Sequence, residues 1–148
     1  MTKIRLTKEF RFEAAHALLK YDGLCKNIHG HSYILRITIK GSPIEDVNSP
    51  KLGMVMDFSE LKTMVKNEIV DRFDHSVILN KKAAHQSFET IEDMFDRIHL
   101  FDYQPTCENM LVDFVDRIKA KIPNNVELVS VQLYETATSF AEWLAEDN

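Results

Sequence analysis

The stretch Phe12–Tyr33, FEAAHALLKYDGLCKNIHGHSY, decides how the rest of the chain is read. It holds three of the six histidines, one of the two cysteines, and Gly30 between His29 and His31. Residues two apart on a strand leave the same face. If His29 and His31 open a strand, both imidazoles can therefore hold one metal ion, and His16 has to come alongside from the strand before. Three neutral imidazoles suit a catalytic zinc that keeps its fourth position open, whereas structural zinc usually takes four protein ligands, often with cysteine among them. The plainer reading is that these histidines only decorate a loop and a strand end. An H-x-H pair with a third His at a strand end is rarer than a lone core histidine and points to a working site.

Working outward, Lys3–Ala15 alternates loosely (Ile4, Leu6, Phe10, Phe12) and reads as a first strand ending at His16. Asp22-Gly23 marks a loop between the two histidine positions. Tyr33–Lys40, YILRITIK, is rich in β-branched residues and closes at Gly41-Ser-Pro43. It is a second strand that begins at the His29/His31 pair and pairs antiparallel with the first. Met54–Met56 reads as a strand remnant. Asp57-Phe-Ser-Glu60 then caps a helix with Leu61, Met64, Val65, Ile69 and Phe73 on one face, stopping near Asp74-His75. In Asn80–Gln104, Ser87 is a candidate cap for a short helix with Ile91, Met94, Phe95 and Ile98 at helical spacing. His85 and His99 lie here without metal-ligand partners and read as structural or surface residues. Thr106 caps a further helix whose Met110, Phe114, Val115 and Ile118 face inward, and Pro123 ends it. Val126–Glu135 is a strand with Val129, Val131, Leu133 and Glu135 on one face, and Phe140–Leu144 reads as a last turn. Strands and helices grouped in this way predict an α+β layer, with helices on one face of an antiparallel sheet. Such a sheet has free edges, and joining a neighbour's sheet would hide them, so a homo-oligomer is expected.

At 148 residues the chain has the length of a single domain spanning residues 1–148, with 45% hydrophobic and 28% charged residues. No apolar run is long enough for a membrane span, and the N-terminus lacks a signal-peptide core, so a cytoplasmic protein with reduced cysteines is expected. A formal charge of −5 without a basic run argues against nucleic acid as the partner.

Several side chains could do chemistry. Cys25, four residues before His29, is a candidate base or nucleophile if a nearby cation favours its thiolate, and it could equally close the metal site as a fourth ligand. Asp74-His75 could orient an imidazole for proton relay, although a histidine at a helix C-terminus is also favoured simply by the dipole. Glu108 and Glu135 could anchor the N–H donors of a guanidine-like heterocycle edge, but unaided each is more often a capping or surface acid.

Blocks spread over most of the chain tip these alternatives: Phe12-x-Ala14-Ala15-His16, Cys25-x3-His29-Gly30-His31-x-Tyr33, Gly53-x-Val55-x-Asp57-Phe58, Asp74-His75 with Leu79-Asn80, Pro105-Thr106-x-Glu108-Asn109, and Val129-x-Val131-x-Leu133-x-Glu135-Thr136. In this combination and order the sequence resembles the 6-pyruvoyl-tetrahydropterin synthase family, most closely its bacterial 6-carboxy-tetrahydropterin synthases of queuosine and deazapurine biosynthesis. The resemblance implies Zn2+ on His16, His29 and His31, Cys25 as the proton-abstracting base, and His75 supported by Asp74 as its relay. It implies Glu135 as the acid that anchors the pterin ring and sometimes joins the relay, with Thr106 and Glu108 in the pterin pocket. The implied substrate is 7,8-dihydroneopterin triphosphate. The carboxy branch releases triphosphate and acetaldehyde to give 6-carboxy-5,6,7,8-tetrahydropterin, whereas the pyruvoyl branch keeps the side chain. Three residues between Cys25 and His29 resemble the carboxy branch, and Cys25 itself sets the chain apart from a folate-pathway variant that uses glutamate. The segment Lys81–Gln104 is longer than the compact bacterial pattern. The implied architecture is the tunnelling fold, whose subunits share sheets in a β-barrel with active sites between subunits, here as a hexamer of two trimers. A non-catalytic zinc-stabilised binding module is the rival from another class.

Overall fold

The computed structural model describes residues 1–83 and 88–148. Its centre is the hairpin of β1 (Ile4–His16) and β2 (His29–Gly41), paired antiparallel from Ile4↔Gly41 to His16↔His29. Strict alternation puts Phe10, Phe12, Ala14 and His16 on one face beside Tyr33, Leu35, Ile37 and Ile39, and all of these are buried. The polar residues between them, such as Glu9, Arg11, Glu13, Ser32 and Arg36, form the other face.

The helices cover the apolar face. Asp57 caps α1 (Phe58–Val65) by accepting from the Ser59 amide, 2.8 Å away. The helix runs through a π-helical turn, Lys66–Val70, into α2 (Asp71–Phe73). Leu61, Val65, Ile69 and Phe73 are fully buried, on the face expected from the sequence. Repeated four-residue steps overshoot the 3.6-residue turn of an α-helix, and the wider π turn takes up the difference. Between α2 and the last helix lie β3 (Ser76–Asn80), α3 (Phe88–Met94) and β4 (Ile98–Phe101). Thr106 caps α4 (Cys107–Lys119), which buries Met110, Leu111, Phe114, Val115 and Ile118. The chain ends in the antiparallel pair β5 (Glu127–Thr136) and β6 (Ser139–Leu144).

The sheet order is β4-β3-β1-β2-β5-β6. Its four strands β1, β2, β5 and β6 are antiparallel, but β3 joins β1 in parallel at Ala14–His16 and β4 joins β3 in parallel. The sheet is thus mixed, not antiparallel throughout. Three local expectations are corrected as well. Ile98 opens a strand instead of extending the helix, because α3 stops at Met94. Phe140–Leu144 is strand, with Ala141 and Trp143 packed against the core. Met54–Met56 is irregular chain whose Val55 and Met56 are nonetheless buried. The cap expected at Ser87 and the role expected of His85 fall outside the described residues.

Candidate metal centre and active site

His16 and His29 are direct cross-strand partners, and His31 is one step further along the same face, opposite Ala14. Their ligand nitrogens lie within 4.8 Å of one another, forming the His16, His29, His31 cluster expected from the spacing. Two backbone carbonyls fix the tautomers. His16 Nδ1 is 2.7 Å from the Pro105 carbonyl oxygen, and His29 Nδ1 is 2.8 Å from that of Asn27. A carbonyl oxygen only accepts, so each Nδ1 carries the proton and each Nε2 presents a lone pair. These two Nε2 atoms face each other at 3.0 Å, an arrangement that requires a cation or a shared proton between them. Burial lowers the pKa of His16 and of His31, against the opposing pull of the Pro105 carbonyl on His16 and of Glu135 on both, and so favours the neutral, ligating form. Among the described residues, two of the three buried polar side-chain atoms without a partner are His31 Nε2 and Tyr33 Oη. Their rings meet edge to face at 5.6 Å, so the unmet hydrogen-bonding capacity is concentrated at this corner. The donor set fits a metal ion held by three imidazoles.

Glu135 reaches the same place from the end of β5, with Oε1 3.3 Å from His16 Nε2 and 3.4 Å from His31 Nε2. Beside it, a small cavity of 130 Å³ is lined by Cys107, Glu108, Glu135, Ser139, Phe140 and Ala141. The two predicted carboxylates are therefore brought together. Ser139, Phe140 and Ala141 were not singled out by the sequence; the alternation along β6 is the signal that could have found them. The Cys107 thiol bonds the Leu133 carbonyl at 3.2 Å, and burial pushes its pKa up to about 11, which makes it a wall and not a nucleophile. Thr106 Oγ1 accepts from the Asn109 amide at 3.2 Å, so this hydroxyl caps α4 one residue after the carbonyl that holds His16.

The proton-transfer residues are not gathered in this way. Cys25 is half-buried in a 3-10 turn, Leu24–Lys26, and does not belong to the ligand cluster. Asp74 and His75 do pair, with Oδ2 to Nδ1 at 3.0 Å. The Glu13 amide donates to Asp74 Oδ1 at 2.9 Å and is the main cause holding that carboxyl below its usual pKa. The His75 amide donates to the Glu13 carbonyl at 2.6 Å, and His75 itself takes φ +57°, a left-handed conformation uncommon outside glycine. Its side chain is 76% exposed and opens onto a depression of 410 Å³ shared with Glu13, Ala15, Gly30, Ser32 and Val77. Glu13, Ala15, Gly30 and Ser32 alternate with the metal cluster along β1 and β2, so His75 opens mainly on the opposite side of the sheet, although Ala14 and His31 also line this depression.

A model of the 6-pyruvoyl tetrahydropterin synthase family matches residues 5–146. The chain belongs to that family. Among its relatives, the 6-carboxy-5,6,7,8-tetrahydropterin synthase of Haemophilus influenzae is 33% identical over 141 residues, covering 94% of this chain and 97% of that protein. The enzyme of the same name from Rickettsia conorii is 31% identical, covering 94% and 99%. Of the solved structures, an uncharacterized protein from Wolinella succinogenes superposes with a TM-score of 0.78 at 18% identity, covering 98% of this chain and 99% of that one. The Caenorhabditis elegans 6-pyruvoyl tetrahydropterin synthase gives 0.68 at 23%, covering 98% and 97%. At these identities the structural likeness speaks for the fold, and the tunnelling fold expected from the sequence holds. Within this pterin synthase scaffold His99 is structural as expected, bonding the Arg72 carbonyl at 2.6 Å and stacking on Phe73 with centroids 4.8 Å apart.

Proposed function

We propose that the protein is a zinc-dependent lyase that converts 7,8-dihydroneopterin triphosphate into 6-carboxy-5,6,7,8-tetrahydropterin, releasing acetaldehyde and triphosphate, in queuosine and 7-deazapurine biosynthesis. The observation that carries this reading is the convergence of imidazole lone pairs whose Nδ1 protons are locked on the Pro105 and Asn27 carbonyls. The carboxy product is favoured over the pyruvoyl one by the names of the bacterial relatives.

A zinc ion on His16, His29 and His31 supplies Lewis acidity toward the side-chain hydroxyls of the substrate. The remaining work falls to the chain. Glu135 and Glu108, which share the small cavity with Ser139 and Phe140, take the N–H edge of the pterin ring, and Thr106, next in sequence to Cys107 of the cavity wall, adds a further pterin contact. Cys25 removes the proton from the side-chain carbon, and His75, oriented by Asp74, carries it away. Because His75 and the histidine cluster lie on opposite faces of one chain's sheet, this relay serves a site completed by an adjoining copy. On this reading the active sites lie between subunits of a homo-oligomer, for which a barrel-forming hexamer is the expected assembly. No described helix is long and apolar enough to cross a membrane, and a cytoplasmic location is part of the reading.

Incubating zinc-loaded protein with dihydroneopterin triphosphate and weighing the products tests it. Carboxy-tetrahydropterin with acetaldehyde is the expected result. The pyruvoyl product would move the chain to the other branch, and absence of any reaction would leave a zinc-stabilised binding module.

A further inference from the structure

Beside the cluster of three imidazoles stands a carboxylate oxygen within reach of two of them. Glu135 Oε1 stands 3.3 Å from His16 Nε2 and 3.4 Å from His31 Nε2. The first contact is not an ordinary hydrogen bond between neutral His16 and a carboxylate, because the His16 proton sits on Nδ1, held by Pro105. In the second, His31 Nε2 is buried and makes no hydrogen bond despite the nearby carboxylate. Two ligand atoms each about 2.0–2.2 Å from a tetrahedral ion lie roughly 3.3–3.5 Å apart. The Glu135 separations are those of co-ligands.

The backbone supports the same assignment. Along β5 and β6 the register runs regularly to Tyr134↔Phe140 and then shifts between Tyr134 and Thr136, which leaves Glu135 as the extra residue. A bulge of this kind re-aims one side chain, and bulges are over-represented beside active sites. Here it falls at the residue whose carboxylate reaches the histidine cluster, on a strand that carries a second register shift on its other edge, against Thr38 and Ile39 of β2.

We propose that Glu135 is the fourth protein ligand of the metal in the substrate-free enzyme, and that the incoming pterin draws it off. The inference rests on the reading of the histidine cluster as a metal centre and goes beyond it. A bidentate grip on the ring's N–H edge takes both carboxylate oxygens and leaves neither for the metal. Seating the ring therefore frees the fourth position, and replacing an anionic ligand by a neutral hydroxyl leaves the ion more electrophilic. Activation of the metal is thereby tied to occupancy of the pocket.

Cobalt(II) in place of zinc reports this through its visible spectrum, without turnover. With Glu135 bound there is no water ligand to ionise, so the wild-type spectrum stays constant from about pH 6 to pH 9, the range around a metal-bound water's usual pKa. In Glu135→Gln, water fills the position, the spectrum titrates within that range, and the cobalt Kd rises at least about 10-fold, the lower bound for losing even an outer-shell partner. Adding neopterin, which carries the ring and side-chain hydroxyls, shifts the wild-type spectrum. A wild-type spectrum that already titrates near neutral pH overturns the proposal, and this readout needs no variant to fold. His16→Ala serves as the control. If it binds cobalt as tightly as wild type, the metal-centre reading itself fails, whereas loss of binding in His16→Ala together with a titrating wild type removes only the role given to Glu135.

Discussion

The two faces of the sheet carry histidines in opposite circumstances. On the helix-covered face His16 is 2% exposed, its Nδ1 tied to a carbonyl and its Nε2 turned to two other imidazoles. On the open face His75 is 76% exposed in its side chain and held mainly through its backbone and through Asp74. The first group is complete within one chain and organised before any ligand arrives, which is what a metal site requires. The second is a presented group whose orientation is set but whose target is not on its own face. In the proposed reaction this contrast would separate a part that one chain builds from a part that needs another surface brought to it.

If that division is right, substitutions on the two faces fail differently. His29→Ala removes one of the three imidazoles from the closed group. Metal affinity should fall by more than about 100-fold, beyond the loss of an outer-shell partner, and turnover should go with it. Elemental analysis of the purified protein checks this, and a variant that kept a full equivalent of metal would break the comparison at its stronger end. Cys25→Ala should keep its metal and lose about 10²–10⁴-fold in turnover, the usual worth of a positioned acid–base group. Metal lost together with the thiol would instead mark Cys25 as a ligand. His75→Ala should behave like Cys25→Ala. Co-assembling the two variants sharpens the comparison further, since a relay that crosses subunits regains roughly a quarter of wild-type turnover when chains mix at random. A relay confined to one chain regains none.

The closed group should also show itself in the metal-free protein's response to pH. The pKa of buried His16 is lowered by desolvation, so between its folded value and the ordinary 6.5 the unfolded chain binds the extra proton. Metal-free protein should therefore be fully stabilised by this group above pH 6.5 and lose that contribution as pH falls through the folded value. Denaturant midpoints across this range would show it, and a His16→Ala variant should have a flatter profile.

This asymmetry also explains what could be read from the amino-acid order. The β1/β2 pair was legible from the loose alternation of Lys3–Ala15 and the β-branched run Tyr33–Lys40, and it brings all three imidazoles together at once. The inward faces of α1 and α4 were legible for the same reason, by helical spacing. Short strands were not. Ser76–Asn80 and Ile98–Phe101 are too brief to show a period, and their parallel pairing depends on partners far away in the chain. The face on which His75 emerges follows a left-handed backbone at that one residue, and the aim of Glu135 follows a register shift. The first has no signature in residue type, whereas alternation along the strand had already set Glu135 in one row with Val131 and Leu133. Sequence thus supplied the identity of the candidate site residues and the faces of His29, His31 and Glu135, while the face of His75 came from the backbone.

The smallest expected effect lies where the closed group touches the rest of the fold. Thr106 caps α4 by accepting from the Asn109 amide, and the preceding carbonyl, Pro105, accepts from His16 Nδ1. Removing the cap with Thr106→Ala should cost about 1 kcal/mol of stability, typical for loss of an N-cap hydroxyl. The same change loosens the carbonyl that fixes the His16 tautomer, so metal affinity should drop by a few-fold, within the roughly 10-fold lower bound for direct loss of a supporting group. Thr106→Ser keeps the hydroxyl and should restore both. The hydroxyl hydrogen is not needed for the cap and can still be given to a pterin, which predicts a raised KM in Thr106→Ala beyond any change in metal content. A raised KM with unchanged stability would make Thr106 a substrate contact alone and detach the cap from the metal group. Lower stability and weaker metal binding together, both rescued by serine, would show that the ordered face is tuned through the helix that covers it.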